Sequence, residues 1–134
     1  MTTPIKEVRY RSIIPDEPLH PIIDVEIIGY ANVPCILDSG ANRSLFPKDI
    51  GLFLNVDYNR HPDSFCECAH GKKIHVWEAQ AKVKIFGEVF TLPIFCSDLQ
   101  EQTALLGRTG FFDRYLITFD EDESKVFFQK KLNT

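Results

Sequence analysis

The chain has 134 residues, of which 44% are hydrophobic, and this length and composition predict one globular domain over residues 1–134. A formal net charge of −4 without a strong cluster of lysine or arginine argues against a nucleic-acid partner. No apolar run is long enough to span a membrane and the first residues do not resemble a signal peptide, so we expect a cytoplasmic protein without a membrane partner.

The predicted elements are mostly β-strands, because apolar residues alternate with polar ones over short stretches bounded by turn residues. Few segments favour a long helix, so the predicted class is mainly β with one or two short helices. In chain order we expect an edge strand or docking arm over residues 1–15, strands at 22–28 and 33–37, a helix start at 47–50, a loop at 55–64, a hairpin over 65–77, strands at 83–85 and 89–95, a short helix at 109–114, and a last hairpin of 115–119 with 125–129.

The most informative stretch is the Asp-Ser-Gly tripeptide at residues 38–40, which follows the apolar run of residues 33–37. It places one carboxylate on a tight turn where a buried strand ends, because glycine lets the backbone turn sharply and serine adds a hydroxyl beside the acid. Aspartate in such a turn also has a purely structural use, since its side chain can bond to the nearby backbone. A second apolar segment that runs into glycine, Leu-Leu-Gly-Arg, lies at residues 105–108.

Taken together, residues 36–41 and 104–108 resemble the two signature segments of the retroviral-type aspartic proteases, the retropepsin-like family. The resemblance spans roughly residues 21–128 and implies a single-lobe acid-protease β-barrel with a flap hairpin, like that of a cellular or bacterial member. It implies Asp38 as the catalytic residue, followed by a serine hydroxyl that reaches across a two-fold axis to the other chain. The residues implied to support the active site are Ser39, Gly40, Ala41, Leu105, Leu106, Gly107 and Arg108.

A two-carboxylate site requires two copies of this chain. Only one Asp-Ser-Gly segment is present, and the chain is too short for the two-lobed aspartic proteases that carry both acids in one polypeptide. The resemblance therefore implies a homodimeric aspartic endopeptidase that acts on an extended peptide or protein substrate, with no metal or organic cofactor. The alternative is a catalytically inactive retropepsin-like dimerisation or peptide-binding module. Apolar residues near the two ends are expected to be exposed in one chain and to favour a dimer: Ile13, Ile14, Phe127 and Phe128.

The resemblance also places a flap, which would close over the substrate, in the hairpin of residues 65–77. Its substrate-binding residues would be Ala69 and His70 at or near the tip and Gly71 as the flexible point. A departure from many viral members lies at Asn42, where they have an acid that pairs with the arginine of the second segment. We expect at most a charge-assisted hydrogen bond between Asn42 and Arg108.

The cysteines and the single tryptophan leave further alternatives open. Cys66, Cys68 and His70 alternate along one predicted strand with His75 nearby, which allows a metal-binding regulator, although Cys-x-Cys lacks the usual spacing of a zinc knuckle. We predict no metal site, and we expect reduced thiols, with two of the four cysteines in the core. Trp77 either belongs to the core or lines a substrate pocket. The two core cysteines are expected to be Cys35 and Cys96.

Overall fold

The computed structural model describes residues 5–67 and 71–132, and these ranges form ten β-strands and two short helical segments. The protein is therefore mainly β, as the sequence pattern predicts. The strands are β1 Ile5–Arg9, β2 Ile22–Ile27, β3 Ala31–Leu37, β4 Ser44–Phe46, β5 Ser64–Glu67, β6 Lys73–Ile85, β7 Glu88–Ser97, β8 Leu105–Leu106, β9 Tyr115–Asp120 and β10 Lys125–Lys130. The helical segments are α1 Lys48–Phe53 and the turn Arg108–Phe112.

Seven of the strands form one sheet that closes on itself. The strand order is β2-β3-β8-β4-β7-β6-β5, and β2 also pairs with β6 at Ile27 and Val83. This second pairing is possible because β6 is 13 residues long and reaches from β5 at its start to β2 at its end. The predicted β-barrel is confirmed.

The interior of the barrel is filled by alternate side chains of its strands. Along β6, Ala81, Val83 and Ile85 are buried, and the neighbouring strand β7 buries Leu92 and Ile94 in the same core cluster. Alternation of this kind places one face of each strand in the core. Burial of apolar surface stabilises the fold by about 25 cal/mol per Å².

The remaining three strands form a second sheet of order β1-β10-β9. The predicted edge strand near the N-terminus is β1, and it pairs with β10 of the same chain. One expectation about the chain ends is wrong: Phe128 is 1% exposed because its ring packs on Phe111 in the core, and Phe127 is half-buried. Ile13 and Ile14 are exposed, at 45% and 59%.

The two helical segments lie near their predicted positions. Helix α1 follows Pro47, whose φ of −72° suits the start of a helix. The turn Arg108–Phe112 is irregular, because Thr109 is extended and Gly110 has a φ of +88°. A Cβ at Gly110 would also lie 2.8 Å from the side chain of Leu92, so the turn is packed closely against β7. Within the described ranges, no helix has the length and apolarity needed to cross a membrane.

Candidate active site

Asp38 is held at the end of β3 by strand pairing on both sides. β3 runs parallel to β8, and the Asp38 backbone N–H donates to the Leu106 carbonyl at 3.0 Å. The preceding N–H, that of Leu37, donates to the Pro21 carbonyl at 2.8 Å on the other side. The backbone that carries the carboxylate is therefore anchored to two separate segments of the chain.

A tight turn follows this residue. The Gly40 N–H donates to Asp38 Oδ1 at 2.9 Å, and the Ala41 N–H donates to the Asp38 carbonyl at 3.1 Å. The turn does not need a left-handed glycine, since Gly40 has no positive φ. A Cβ at Gly40 would instead lie 3.3 Å from Asp38 Oδ1, so the glycine provides room beside the carboxylate. The neighbouring Ser39 is exposed.

The predicted support segment, residues 105–108, is bound to the loop after Asp38. The Gly107 N–H donates to Oγ of the buried Ser44 at 3.0 Å, and the Arg108 N–H donates to the Ala41 carbonyl at 2.9 Å. The two sequence segments that resemble protease signatures therefore lie side by side. Ser44 completes this contact, and the sequence analysis did not single it out.

Asn42 and Arg108 are not joined by a hydrogen bond, and a charge-assisted bond was the most that the sequence led us to expect. Asn42 Oδ1 accepts the hydroxyl of Thr109 at 3.3 Å, and the Asn42 carbonyl accepts the Thr109 N–H at 2.8 Å. The Arg108 side chain is exposed. The neutral amide is satisfied by the nearer threonine, since it has no net charge to attract the guanidinium.

A cleft of about 670 Å³ opens beside Asp38. Its lining is largely apolar and includes residues from both signature segments and from the β5–β6 hairpin. The lining residues are Asp38, Gly40, Ala41, Asn42, Arg43, Leu45, Ser64, Cys66, Glu67, Ile74, Phe95, Gln102 and Leu105. An open apolar groove with a few polar groups is the usual form of a ligand site.

The predicted hairpin over residues 65–77 is present as β5 and the start of β6, and it lines the cleft with Cys66 and Ile74. These two residues pair directly across the strands, so their side chains share one face. Gly71 has a φ of +73° and no atom within 4 Å of a Cβ built on it. The other two predicted flap residues, Ala69 and His70, lie outside the described residues.

Two members of the alternative metal site, Cys66 and His75, lie in the described residues, and their side chains do not point to one place. Cys66 lies opposite Ile74, whereas His75 is the next residue along β6 and is exposed on the other face. Strand alternation therefore separates the two side chains. Among the described residues, no group of three or more metal-ligating side chains is present. Cys68 and His70 lie outside the described residues.

Trp77 belongs to the core and supports the base of the hairpin. It is 3% exposed, its ring meets Tyr58 at 4.8 Å, and its Nε1–H donates to the Arg60 carbonyl at 2.9 Å. The Arg60 guanidinium and the Glu78 N–H both donate to Asp63, and they hold the pKa of its carboxyl well below the usual range. These bonds fasten residues 55–64 to β6.

The predicted core thiols are confirmed as buried. Burial raises the pKa of Cys96 to about 12 and raises the pKa of Cys35 still further above its ordinary value. Thiols with such values stay protonated and are poor nucleophiles at neutral pH. Neither cysteine lines the cleft.

Four cleft residues carry chemistry that sequence reasoning missed. Arg43, Glu67, Phe95 and Gln102 come from four different parts of the chain, and the barrel brings them to one groove. No motif links them. The one available signal was the position of Arg43 directly after the Asp-Ser-Gly-Ala-Asn stretch.

No protein-family model and no curated protein matches this chain. Among solved structures, a retropepsin-like aspartic protease from Rickettsia conorii has a TM-score of 0.69 at 15% identity, over 92% of this chain and 98% of that one. The retroviral protease-like domain of Ddi1 from Leishmania major has a TM-score of 0.57 at 12% identity, over 84% and 93% of the two chains. The EIAV protease complexed with the inhibitor HBY-793 has a TM-score of 0.52 at 16% identity, over 73% and 88%.

These structures share an arrangement of strands with the present chain, at sequence identities of 12% to 16%. The similarity is therefore one of fold. The chain has the retropepsin-like fold of aspartic proteases, which confirms the fold expected from residues 36–41 and 104–108.

Proposed function

We propose that this protein is an aspartic endopeptidase that acts as a homodimer and contributes one Asp38 from each chain. The observation that carries the proposal is the position of Asp38, on an anchored turn at the edge of an apolar cleft in a retropepsin-like fold. The fold alone does not define an activity. The Asp38 carboxylate in that cleft is the group that could act as a catalytic acid or base.

The proposed mechanism uses two carboxyls that share one proton. One carboxylate removes a proton from a water molecule, while the other, protonated, donates a hydrogen bond to the scissile carbonyl. The water then attacks the carbonyl carbon, and no covalent intermediate with the protein forms. In each chain the Gly40 N–H donates to Asp38 Oδ1, which helps to orient the carboxylate before substrate arrives.

The exposed apolar side chains of one segment support the proposal that the protein forms a homodimer. Ile13, Ile14 and Leu19 are 45%, 59% and 56% exposed. They lie on the segment that leads into Pro21, and the Pro21 carbonyl accepts the N–H of the residue before Asp38. We assign the face that carries this segment to the contact with the second copy, which a two-fold site requires. The exposed Ser39 hydroxyl is available for a contact across the same axis.

The remaining roles follow from the hairpin and the core. We assign the flap role to the β5–β6 hairpin, with Gly71 as its flexible point and Ala69 and His70 as substrate-binding residues. We also propose that residues 1–134 form one domain, because one core cluster takes residues from Ile23 to Phe128. The buried, protonated thiols of the core suit the reducing environment of the cytoplasm.

The test is the Asp38→Asn variant assayed on an unstructured protein substrate. Asparagine is nearly isosteric but cannot remove the proton from water, so cleavage should fall to background while the fold and dimer persist. A pepstatin-type inhibitor should block the wild-type cleavage. Asp122→Asn is the matched control, because this exposed carboxylate lies on the 121–124 turn and does not line the cleft. Wild-type cleavage by Asp38→Asn would end the proposal.

The alternative is an inactive dimerisation or peptide-binding module. It is favoured by the bond from the Gly40 N–H to Asp38 Oδ1, which is also what an aspartate with a purely structural turn role makes. In that case wild-type protein would bind extended peptides without cleaving them. Asp38→Asn would then change the stability of the turn, and neither the variant nor the wild type would cleave peptides.

A further inference from the structure

The cleft beside Asp38 is lined by one cationic side chain from the described residues, that of Arg43. The other charged side chains on its lining, Asp38 and Glu67, are carboxylates. The Arg43 side chain is 30% exposed, so the guanidinium is partly withdrawn from water but accessible from the cleft. A partly desolvated charge interacts more strongly with an opposite charge than one in open solvent does.

The register of the sheet places the two side chains that Arg43 contacts, Phe95 and Glu78, next to each other. Phe95 of β7 lies opposite Leu45 of β4 on one side and opposite Glu78 of β6 on the other. The Arg43 guanidinium lies over the Phe95 ring, 5.1 Å from its centroid, and Arg43 Nη1 is 3.1 Å from Glu78 Oε1. The side chain therefore crosses the sheet on an aromatic surface, which reduces the entropy it loses when it binds a ligand.

Glu78 leaves Arg43 able to bind a second carboxylate. The Glu78 side chain is 52% exposed, and ion pairs of this kind contribute little free energy. A guanidinium has five N–H donors in a planar fork, and the pair with Glu78 involves Nη1. An incoming carboxylate can accept from the other donors or displace the exposed glutamate at small cost.

We infer that the cleft selects peptides with an aspartate or glutamate side chain near the scissile bond, and that Arg43 is the residue that recognises it. This inference rests on the proposed endopeptidase function and adds its substrate class. The substrate carboxylate accepts N–H groups of Arg43, while apolar substrate side chains pack on Leu45, Ile74 and Phe95. Arg43 determines specificity and takes no part in bond cleavage.

The test is a series of otherwise uncharged apolar peptides with one glutamate or its isostere glutamine at each position flanking the cleaved bond. At one position, the wild-type kcat/KM for the glutamate peptide should be about tenfold higher than that for the glutamine peptide. Arg43→Gln should bring the glutamate-to-glutamine ratio of kcat/KM to about one. Glu78→Gln should raise this ratio because a competing carboxylate is removed. Arg114→Gln is the matched control, since the Arg114 guanidinium also lies over an aromatic ring, 3.9 Å from the Phe90 centroid, but does not line the cleft. The glutamate-to-glutamine ratio of this variant should stay at the wild-type value.

Binding of the same peptides to the Asp38→Asn protein separates this inference from the proposed function. Its affinity for the glutamate peptide should exceed that for the glutamine peptide, and adding Arg43→Gln should remove the difference. Cleavage without any glutamate preference would overturn the inference and leave the endopeptidase proposal standing. Absence of all cleavage would overturn the endopeptidase proposal. The binding preference for the glutamate peptide would then decide whether Arg43 recognises an acidic side chain. A preference that survives Arg43→Gln would overturn the inference in either case.

Discussion

A Cβ atom at Gly107 would lie 2.6 Å from both the carbonyl carbon and the carbonyl oxygen of Arg43. It would also lie 2.9 Å from the carbonyl oxygen of Ala41. These neighbours are backbone atoms, which cannot rotate away as the end of a side chain can. Glycine at this position therefore lets the 105–108 segment lie against the loop that carries Asp38.

We predict that Gly107→Ala destabilises the protein strongly. The added methyl group must push the 41–43 backbone aside, and such overpacking costs about 2 kcal/mol in free energy of unfolding. It also displaces the turn of Asp38, so peptide cleavage should fall as well. Urea unfolding monitored by tryptophan fluorescence, which reports on Trp77, measures the stability change.

Gly40→Ala is the matched control for this prediction. Its Cβ would meet only Asp38 Oδ1, at 3.3 Å, and that atom belongs to a side chain that can turn. We expect a stability loss well below that of Gly107→Ala, together with reduced activity because the carboxylate moves. Equal stability losses in the two variants would contradict the interpretation of Gly107 as a close-contact position.

The sequence singled out the parts of the candidate site that lie within a motif. Asp38 and the 105–108 segment were identifiable because each joins an apolar strand to a glycine and because the two segments together resemble a family signature. The strands of the barrel were predictable for a similar reason, since alternation and turn residues are local signals. These parts needed no knowledge of which strands pair.

The parts that were wrong or missed depend on pairing between distant segments. Phe95 enters the cleft only because β7 lies between β4 and β6, and nothing in its own neighbourhood indicates that. The partner of Asn42 is Thr109, which the irregular turn after β8 brings within reach. Phe128 is buried because the last hairpin packs back on Phe111, whereas position near a chain end suggested exposure.

We predict that the segment before Pro21 forms part of the dimer interface. The double substitution Ile13→Asp with Ile14→Asp places two charges on exposed apolar positions of the segment that leads into Pro21, and it should shift the protein to monomer. Activity at micromolar concentration should fall with the dimer fraction, because one chain supplies one Asp38. Sedimentation equilibrium and peptide cleavage at matched concentrations measure the two quantities.

Leu116→Asp is the control for the interface prediction. Leu116 is 57% exposed, close to the value for Ile14, but lies on the outer strand β9 of the second sheet. This variant should remain dimeric and active. A monomeric wild-type protein that cleaves peptides, or a double variant that stays dimeric, would contradict the prediction.

Asp63 should contribute stability that depends on pH. Hydrogen bonds from Arg60 and from the Glu78 N–H hold its pKa below the usual range, so its contribution is present above the unfolded-state pKa and is lost as pH falls through the folded-state pKa. Asp63→Asn should lower the free energy of unfolding at neutral pH by about 1 kcal/mol. The difference from wild type should narrow below about pH 4, since an unfolded carboxyl begins to protonate there. Asp122→Asn, on the exposed 121–124 turn, should show no comparable loss.

Activity should rise and then fall with pH, with its optimum on the acid side of neutral. Two carboxyls held close together cannot both ionise without repulsion, and the proposed mechanism needs the pair to carry one proton. At low pH the pair is doubly protonated and has no base, whereas at high pH the last proton leaves and nothing polarises the scissile carbonyl. The measurement is the initial cleavage rate of one peptide from acid to mildly alkaline pH, with the dimer fraction determined at each point and Asp38→Asn as the baseline. A rate that keeps rising into alkaline pH while the dimer stays intact would exclude a shared-proton aspartate pair. It would favour a thiol or metal mechanism through Cys66 and Cys68, of which Cys66 lies on the cleft among the described residues.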